Sequence, residues 1–317
     1  MSINYTDFLE KHYGIRPVAI TRITSGVANR NYLVKTDSAH YVFRRSTSTA
    51  KYPIINLASF LQAAQGSGLP LARLIPTRTG ESFLQHGRIT YTLATLLPNT
   101  HPTYSTITTG KLHSLGHALA TMHLLSWQAP AASPKLEPRY MERVYRRYRP
   151  QLQPKSFEGK REFLEIVDDE HRHTEGRLAA WQVLPRTPVH NDPYLSNVLF
   201  GGDTLTGLLD LDDVGIGIAL IDVGRVINTW CFTEAGTFQP KLAKAFVSAY
   251  NATRPLSTVE RELFYDFLRF LAYRHCIWFV KLCAQGDVAE PTQAIDYHAL
   301  RFWRTHPHAA TDLLPPQ

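Results

Sequence analysis

One stretch limits what this chain can become more than any other. It is Pro188-Val189-His190-Asn191-Asp192-Pro193-Tyr194-Leu195-Ser196-Asn197-Val198-Leu199-Phe200, followed after a short gap by Leu208-Leu209-Asp210-Leu211-Asp212-Asp213. Two apolar, strand-like pieces each hand over to carboxylates, and an Asn falls five residues after the first Asp. Such a loop can do two jobs at once. Asp192 can accept a hydrogen bond from a hydroxyl, while the Asn197 amide oxygen and the Asp210 carboxylate supply hard oxygen donors. A magnesium ion needs only one or two such protein ligands, because it keeps waters and substrate phosphates in its shell. A lone D-x-x-x-x-N also fits an ordinary polar turn. The His two residues before it, the flanking apolar strands and the second Asp after a hairpin make the pattern specific.

The loop reads H-N-D-x-x-x-x-N, with the later Asp not followed by Phe-Gly. The parts correspond to the phosphoryl-transfer template of protein kinases, an H-R-D-x-x-x-x-N loop and a second, metal-binding Asp. In this form the sequence resembles the small-molecule branch of that fold, the aminoglycoside phosphotransferase, choline kinase and homoserine kinase superfamily. Leu115-Gly116-His117-Ala118-Leu119-Ala120-Thr121-Met122-His123 is similar to that group's L-G-x-x-L-A-x-x-H helix. The similarity extends from about Gly26 to Trp303. Within the superfamily the bacterial homoserine kinase type resembles the chain best, through Asn228-Thr229-Trp230-Cys231 and through Arg254-Pro255-Leu256-Ser257-Thr258-Val259-Glu260-Arg261-Glu262-Leu263.

The resemblance implies an α+β, bilobal, protein-kinase-like fold. Residues 1–97 would be a nucleotide-binding lobe, an antiparallel sheet with one main helix. Residues 98–317 would be a larger, mostly helical catalytic and acceptor-binding lobe. Length agrees, since 317 residues suggest two units at about 100 to 200 residues each. Strand-like runs at 18–23, 32–35, 40–44 and 88–95 supply the sheet. Helical periods cover 6–12, 54–65, 111–125, 138–149, 157–183, 241–250, 259–283 and 292–304. The Pro- and Ala-rich tail from His306 onward reads as frayed.

The same resemblance implies ATP and Mg2+ as cofactors and assigns further residues. Gly26, Asn29 and Asn31 lie in or beside the turn that would cover phosphates, and Leu97 lies in the hinge that would face an adenine. Arg44 stands where the family usually has a phosphate-contacting Lys, a change that swaps a compact charge for a planar fork. The family's partner acid on the following helix is absent. Counting back from Gly68-Leu69-Pro70 puts Gln62 at its place. His190 and Asp222 are expected to support the catalytic loop. For a homoserine acceptor, Arg274 would hold the carboxylate, and Asp212 or Asp213 the ammonium. The alternatives are an aminoglycoside, choline or other amino-alcohol or sugar kinase, and a non-catalytic nucleotide-binding homologue.

Charge and cysteine content narrow the rest. The formal net charge is +7 with a pI near 9.3, which leaves phosphorylated ligands, nucleic acid and anionic lipid open. The densest basic cluster, Arg139, Arg143, Arg146, Arg147 and Arg149, interleaves with Tyr140, Tyr145 and Tyr148, and its helical spacing reads as a solvated face rather than a nucleic-acid patch. Three cysteines without C-x-x-C spacing suggest a reducing compartment. The N-terminus lacks the regions of a signal peptide, and charges interrupt the most apolar stretch. The expected partner is therefore a small hydroxylated acceptor, not nucleic acid or a membrane, and the expected compartment is the cytoplasm.

Overall fold

A computed structural model describes residues 4–24, 29–47, 52–288 and 290–316. The chain opens with α1 (Tyr5–Tyr13), capped by the Asn4 side chain and closed at Gly14. A five-stranded antiparallel sheet follows, built from β1 (Ala19–Ile23), β2 (Arg30–Lys35), β3 (His40–Ser46), β4 (Leu84–His86) and β5 (Ile89–Thr95) in the order β1-β2-β3-β5-β4. Strand alternation sends Val34, Phe43, Tyr91 and Leu93 onto one face. There they bury against Phe8, Leu9 and Tyr13 of α1. Arg44 and its cross-strand partner Thr92 point the other way, toward the rest of the molecule.

Between β3 and β4 lies α2 (Tyr52–Ala63). Its apolar stripe, Leu57 and Phe60 with Ala64, packs on Met122, Trp127, Leu211 and Val214 rather than on the α1 side of the sheet. Buried Asn56 ties it down: the amide donates to Ala131 O at 2.9 Å and Val214 O at 3.3 Å, and accepts from Ala131 N at 3.0 Å. Helix α2 is thus anchored on the later part of the chain.

The remaining elements are α3 (Thr109–His123), α4 (Arg139–Tyr148), α5 (Lys160–Arg177), β6 (Arg186–Val189), β7 (Val198–Gly201), β8 (Thr204–Leu208), β9 (Gly215–Ile218), α6 (Leu220–Trp230), α7 (Pro240–Thr253), α8 (Thr258–Glu262), α9 (Phe264–Gln285), α10 (Ile295–Thr305) and α11 (Pro307–Thr311). One large apolar core joins them, centred on Trp230, Phe246, Tyr250, Phe264, Leu271 and Trp303. Helix α3 crosses α7 so closely at Gly116 that an added Cβ would stand 2.6 Å from the Phe246 carbonyl oxygen. Among the described residues no helix is long and apolar enough to cross a membrane.

Three expectations need correction. The helical reading of 157–183 shortens to α5, because Gly159 takes a left-handed conformation just before it and 180–183 form a separate 3-10 turn. The reading of 259–283 as one helix becomes α8 and α9, bent at Leu263; the bonds Leu263 N to Val259 O and Phe267 N to Leu263 O carry the ladder across the bend. The tail is not frayed. Pro307 starts α11, Ala310 and Leu313 are buried in the main core, and Arg261 Nη2 donates to Pro315 O at 2.6 Å. Apolar side chains spaced three apart, among residues that read as loop formers, are enough to dock it.

The α3–α7 crossing gives a stability test. Gly116→Ala must push against backbone and should destabilise the protein by about 1–3 kcal/mol in urea unfolding. Gly176→Ala, in a helical position with nothing within 4 Å of the new methyl, should instead stabilise it by roughly 0.5 kcal/mol.

Candidate active site

Two small antiparallel ladders bring the motif residues together. β6 pairs with β9 so that Val189 faces Gly215, and β7 pairs with β8 so that Val198 faces Leu208. The segments 190–197 and 209–214 therefore run side by side between the ladders, and Leu209 N donates to Asn197 O at 2.8 Å. Asp192, Asn197 and Asp210 converge for this reason alone.

The first segment is held from below by a buried carboxylate. Asp222, at the start of α6 and fully buried, accepts from His190 N and Asn191 N, both at 2.7 Å. Asn191 takes a positive φ of 74°, which turns two successive N–H groups to the same acceptor. His123 Nε2 lies 3.0 Å from the Asp222 Oδ2 that also serves His190, and His123 Nδ1 meets the Tyr250 hydroxyl at 2.7 Å. The Trp230 indole donates to Pro193 O at 2.9 Å, a second tether from α6. His190 Nδ1 faces the Asp192 N–H at 3.4 Å, while its Nε2 has no partner among the described residues.

Asp192 is half-exposed, and both of its oxygens are engaged. Asn197 Nδ2 donates to Oδ2 at 3.1 Å and to the backbone oxygen at 3.0 Å; Arg225 Nε donates to Oδ1 at 3.1 Å. Asn197 thereby commits its nitrogen to the loop, and its Oδ1 takes only a long bond of 3.4 Å from Ser196 Oγ. Asp210 sits in a left-handed conformation with φ 55°. Its carboxylate has no hydrogen-bond or ion-pair partner among the described residues and opens onto a cavity of about 510 Å³. Burial of its surroundings, then the charge of Asp212, raise its pKa above the ordinary carboxylate range. Two oxygen donors, one of them an unpaired carboxylate held up by its neighbours, form a donor set suited to a hard divalent cation.

The 510 Å³ cavity lies between the sheet and this loop pair, within the range of ligand sites. Asn29, Arg44, Asp210 and Asp212 all line it, with Pro53, Ile54 and Leu57 of α2. Arg44 Nη2 pairs with Asp212 Oδ2, which also accepts from Asn29 Nδ2 at 3.2 Å. The Arg44–Gln62 pair expected from the sequence is therefore replaced. Gln62 is solvent-exposed near the end of α2, more than a turn beyond Leu57, and Arg44 takes its counter-charge from the loop. Asp212 is by the same contact removed from the expected role of ammonium acceptor. Asn31 pairs with Arg44 across the strands, with its Oδ1 buried and unpartnered among the described residues. Leu97 is not part of the cavity wall; its Cδ1 lies against Gly207, where the 96–103 connector is pinned to the β7–β8 hairpin by Phe200 N to Thr100 O at 3.0 Å. Gly26 falls outside the described residues.

A second, smaller cavity of about 200 Å³ opens beside Asp192. It shares Lys135 and Asp213 with the first, joined by bonds of 2.7 and 2.8 Å, so one ion pair forms a common wall. Asp192, Arg225, Arg274, Tyr140 and Trp278 line the rest. Arg274 is buried and donates to Asn191 Oδ1 at 2.7 Å and Lys135 O at 3.1 Å. Among the described residues no carboxylate pairs with it. Burial and the charge of Arg225 pull its pKa down to about 10, so it remains a cation at neutral pH.

Sequence reading did not find Arg225 or Asp296, because the bond of Arg225 to the loop spans 33 residues and its bond to Asp296 spans 71. An Arg within the mostly apolar run Leu220–Trp230 was the available signal. The basic cluster on α4 is laced to acids and rings: Arg149 grips Asp168 at 2.7 and 2.6 Å, Arg146 reaches Glu142, and Arg143 and Arg147 lie over Tyr140 and Tyr148.

With this geometry in hand, comparison with known proteins is informative. Residues 19–256 match the model of the phosphotransferase enzyme family. The chain is similar to a homoserine kinase of Ralstonia nicotianae, 30% identical over 295 residues that cover 86% of this chain and 84% of that one. It is also similar to a homoserine kinase of Acidiphilium cryptum, 29% identical over 80% of this chain and 78% of the relative. Among solved structures, a spectinomycin phosphotransferase bound to ADP and spectinomycin superposes with a TM-score of 0.67 over 98% of both chains at 16% identity. A microcompartment-associated aminopropanol kinase gives 0.63 over 98% and 99% at 13% identity. These two neighbours share the fold.

The Asp222 hub makes a stability prediction. Asp222→Ala leaves two buried loop N–H groups and a histidine without their acceptor and should cost about 3–5 kcal/mol by denaturant unfolding. A loss under about 1 kcal/mol would show that the loop holds itself.

Proposed function

The chain belongs to the phosphotransferase enzyme family and is a kinase acting on a hydroxyl group, and from that premise we propose that it moves the γ-phosphate of ATP to the side-chain hydroxyl of L-homoserine. The observation that carries the choice of acceptor is Arg274. A buried guanidinium without a carboxylate partner among the described residues, on the wall of the cavity that Asp192 borders, calls for an anionic ligand. An α-amino acid brings a carboxylate, whereas choline and aminoglycosides do not. The cavity's size, about 200 Å³, also falls below the usual range for drug-sized ligands and suits a small acceptor. Asp213, which faces this cavity as Asp212 does not, is the carboxylate nearest to hand for the ammonium group, shared with Lys135.

In this reading the partition at 97/98 separates a nucleotide lobe from the acceptor lobe. Arg44, oriented by Asp212 and Asn29, meets the phosphates in the larger cavity. Asn197 Oδ1 and the Asp210 carboxylate would hold Mg2+, which when bound offsets the phosphate charge. Asp192 orients the acceptor hydroxyl and takes its proton as the new phosphorus–oxygen bond forms and the bond from the γ-phosphorus to the bridging oxygen breaks, with ADP as the leaving group. The carboxylate is ready for this because its two oxygens are fixed by Asn197 and Arg225. Protein positioning and fixed charge do the work, as a loose phosphoryl-transfer transition state requires.

An amino alcohol is the second reading, favoured by Asp213 and by the partly exposed Trp278 in the same cavity, although Lys281 Nζ already lies 4.0 Å from that ring's centre. A panel of L-homoserine, L-serine, choline, ethanolamine and kanamycin, read by ADP release, decides between them. Turnover with L-homoserine is expected. Arg274→Met should then raise KM for homoserine at least on the order of 30-fold, about 2 kcal/mol, with KM for ATP unchanged. Turnover of ethanolamine in place of homoserine, unaffected by Arg274→Met, would refute the proposal. Asp192→Asn should lower kcat roughly 10²–10⁴-fold while ATP binding by calorimetry persists.

A further inference from the structure

We propose that Asp296 of α10 and Arg225 of α6 form a positioning relay that sets the orientation of the Asp192 carboxylate. The inference rests on Asp192 being the base of the reaction proposed above.

The argument starts from Asp192 itself. Its side chain is 44% exposed on a loop, so packing does not fix its rotamer. Two donors fix it instead, one on each oxygen: Asn197 Nδ2 on Oδ2 and Arg225 Nε on Oδ1. Asn197 is a neighbour in the loop. Arg225 comes from the buried core, and its side chain is only 10% exposed.

Arg225 is in turn held by an acid and a ring. Its Nη1 donates to both Asp296 oxygens, at 3.0 and 3.3 Å, and its guanidinium stacks 5.0 Å from the Tyr194 ring centre. The Tyr194 hydroxyl lies 3.4 Å from that of Tyr104. Asp296 stands in the first turn of α10, where the helix dipole favours a negative charge. The nearby His275, whose Nδ1 lies 3.5 Å from Asp296 Oδ1, brings no charge to that pair. Its Nδ1–H is committed to Leu271 O at 2.8 Å, and burial, with the charges of Arg225 and Arg274, keeps the ring neutral. Burial opposes the charge on Arg225, but Asp296 and then Asp192 outweigh it and hold the guanidinium firmly protonated.

The charge count separates this arginine from its neighbour. Arg225 touches two carboxylates, whereas Arg274 touches none among the described residues. Asp296 alone would neutralise Arg225. The extra bond reaches a half-exposed carboxylate, a kind of pair that adds little to stability. Its value therefore lies in where it puts Asp192, since a small misplacement of a reacting group costs up to about a hundredfold in rate.

The test is a double-mutant cycle in kcat with L-homoserine and ATP, or with whichever alcohol of the panel is phosphorylated. Arg225→Gln and Asp296→Asn should each lower kcat on the order of ten- to a hundredfold, with both KM values unchanged. The double variant should be no slower than Arg225→Gln alone, because Asp296 acts only through Arg225. In Arg225→Ala, guanidinium at sub-denaturing concentration should restore part of kcat. Multiplying losses in the double variant would overturn the relay, as would a loss confined to KM for the acceptor, which would make Arg225 a substrate contact. Unchanged kcat with only a lowered Tm would reduce the cluster to an ion pair of the fold. Full turnover by Asp192→Asn in the same assay would instead show that the assignment of the base, not the relay's geometry, had failed.

Discussion

A fully buried carboxylate is expensive unless its surroundings answer it, and the Asp222 site is where this protein meets that demand. Two loop N–H groups and His123 surround it. Beyond His123 the chain of bonds continues through Tyr250 to Arg254 at 3.1 Å and on to Glu260 at 3.0 Å. Glu260 also closes the capping box of α8 with Ser257. The 190–197 loop is thus suspended from a line of polar groups that runs through α3, α7 and the start of α8. This explains why a region dense in apolar residues keeps a histidine, a tyrosine and an Arg–Glu pair in its interior.

The loops at the cleft then distribute charge in separate tasks. Asp212 answers Arg44 on the side of the larger cavity, and Lys135 answers Asp213 on the wall between the two. Arg225 stands between Asp192 and Asp296. Among the described residues Asp210 and Arg274 are left without an ion partner, one carboxylate on the side of the larger cavity and one guanidinium on the side of the smaller. They are the groups whose charges await something from outside the chain.

Much of this could be read from the residues alone where the signal was local. The spacing of Asp192 and Asn197 is fixed by one loop, and Asp210 follows one hairpin, so their meeting was legible. The strands around Phe43 and Tyr91 and the stripe of α3 were legible through their periods. Gln62 was misplaced because a helix offers several positions within a turn of one another, and counting from a distant glycine does not fix which faces the sheet. Asp212 and Asp213 are adjacent and chemically alike, yet of the two, both lining the larger cavity, Asp213 alone also reaches the smaller. No spacing rule distinguishes them. Arg225 and Asp296 act across helices that only the tertiary packing brings together, and α11 was hidden by residues that usually mark loops.

The wall made by Lys135 and Asp213 has one more consequence. Two compartments that meet at a single ion pair can be filled at the same time, and neither ligand must pass through the other's space. For the reaction proposed above, this arrangement would let transfer proceed in a ternary complex, with no phosphorylated form of the protein carrying the group between two half-reactions. Initial-rate lines would then intersect instead of running parallel, each ligand loading while the other is already in place.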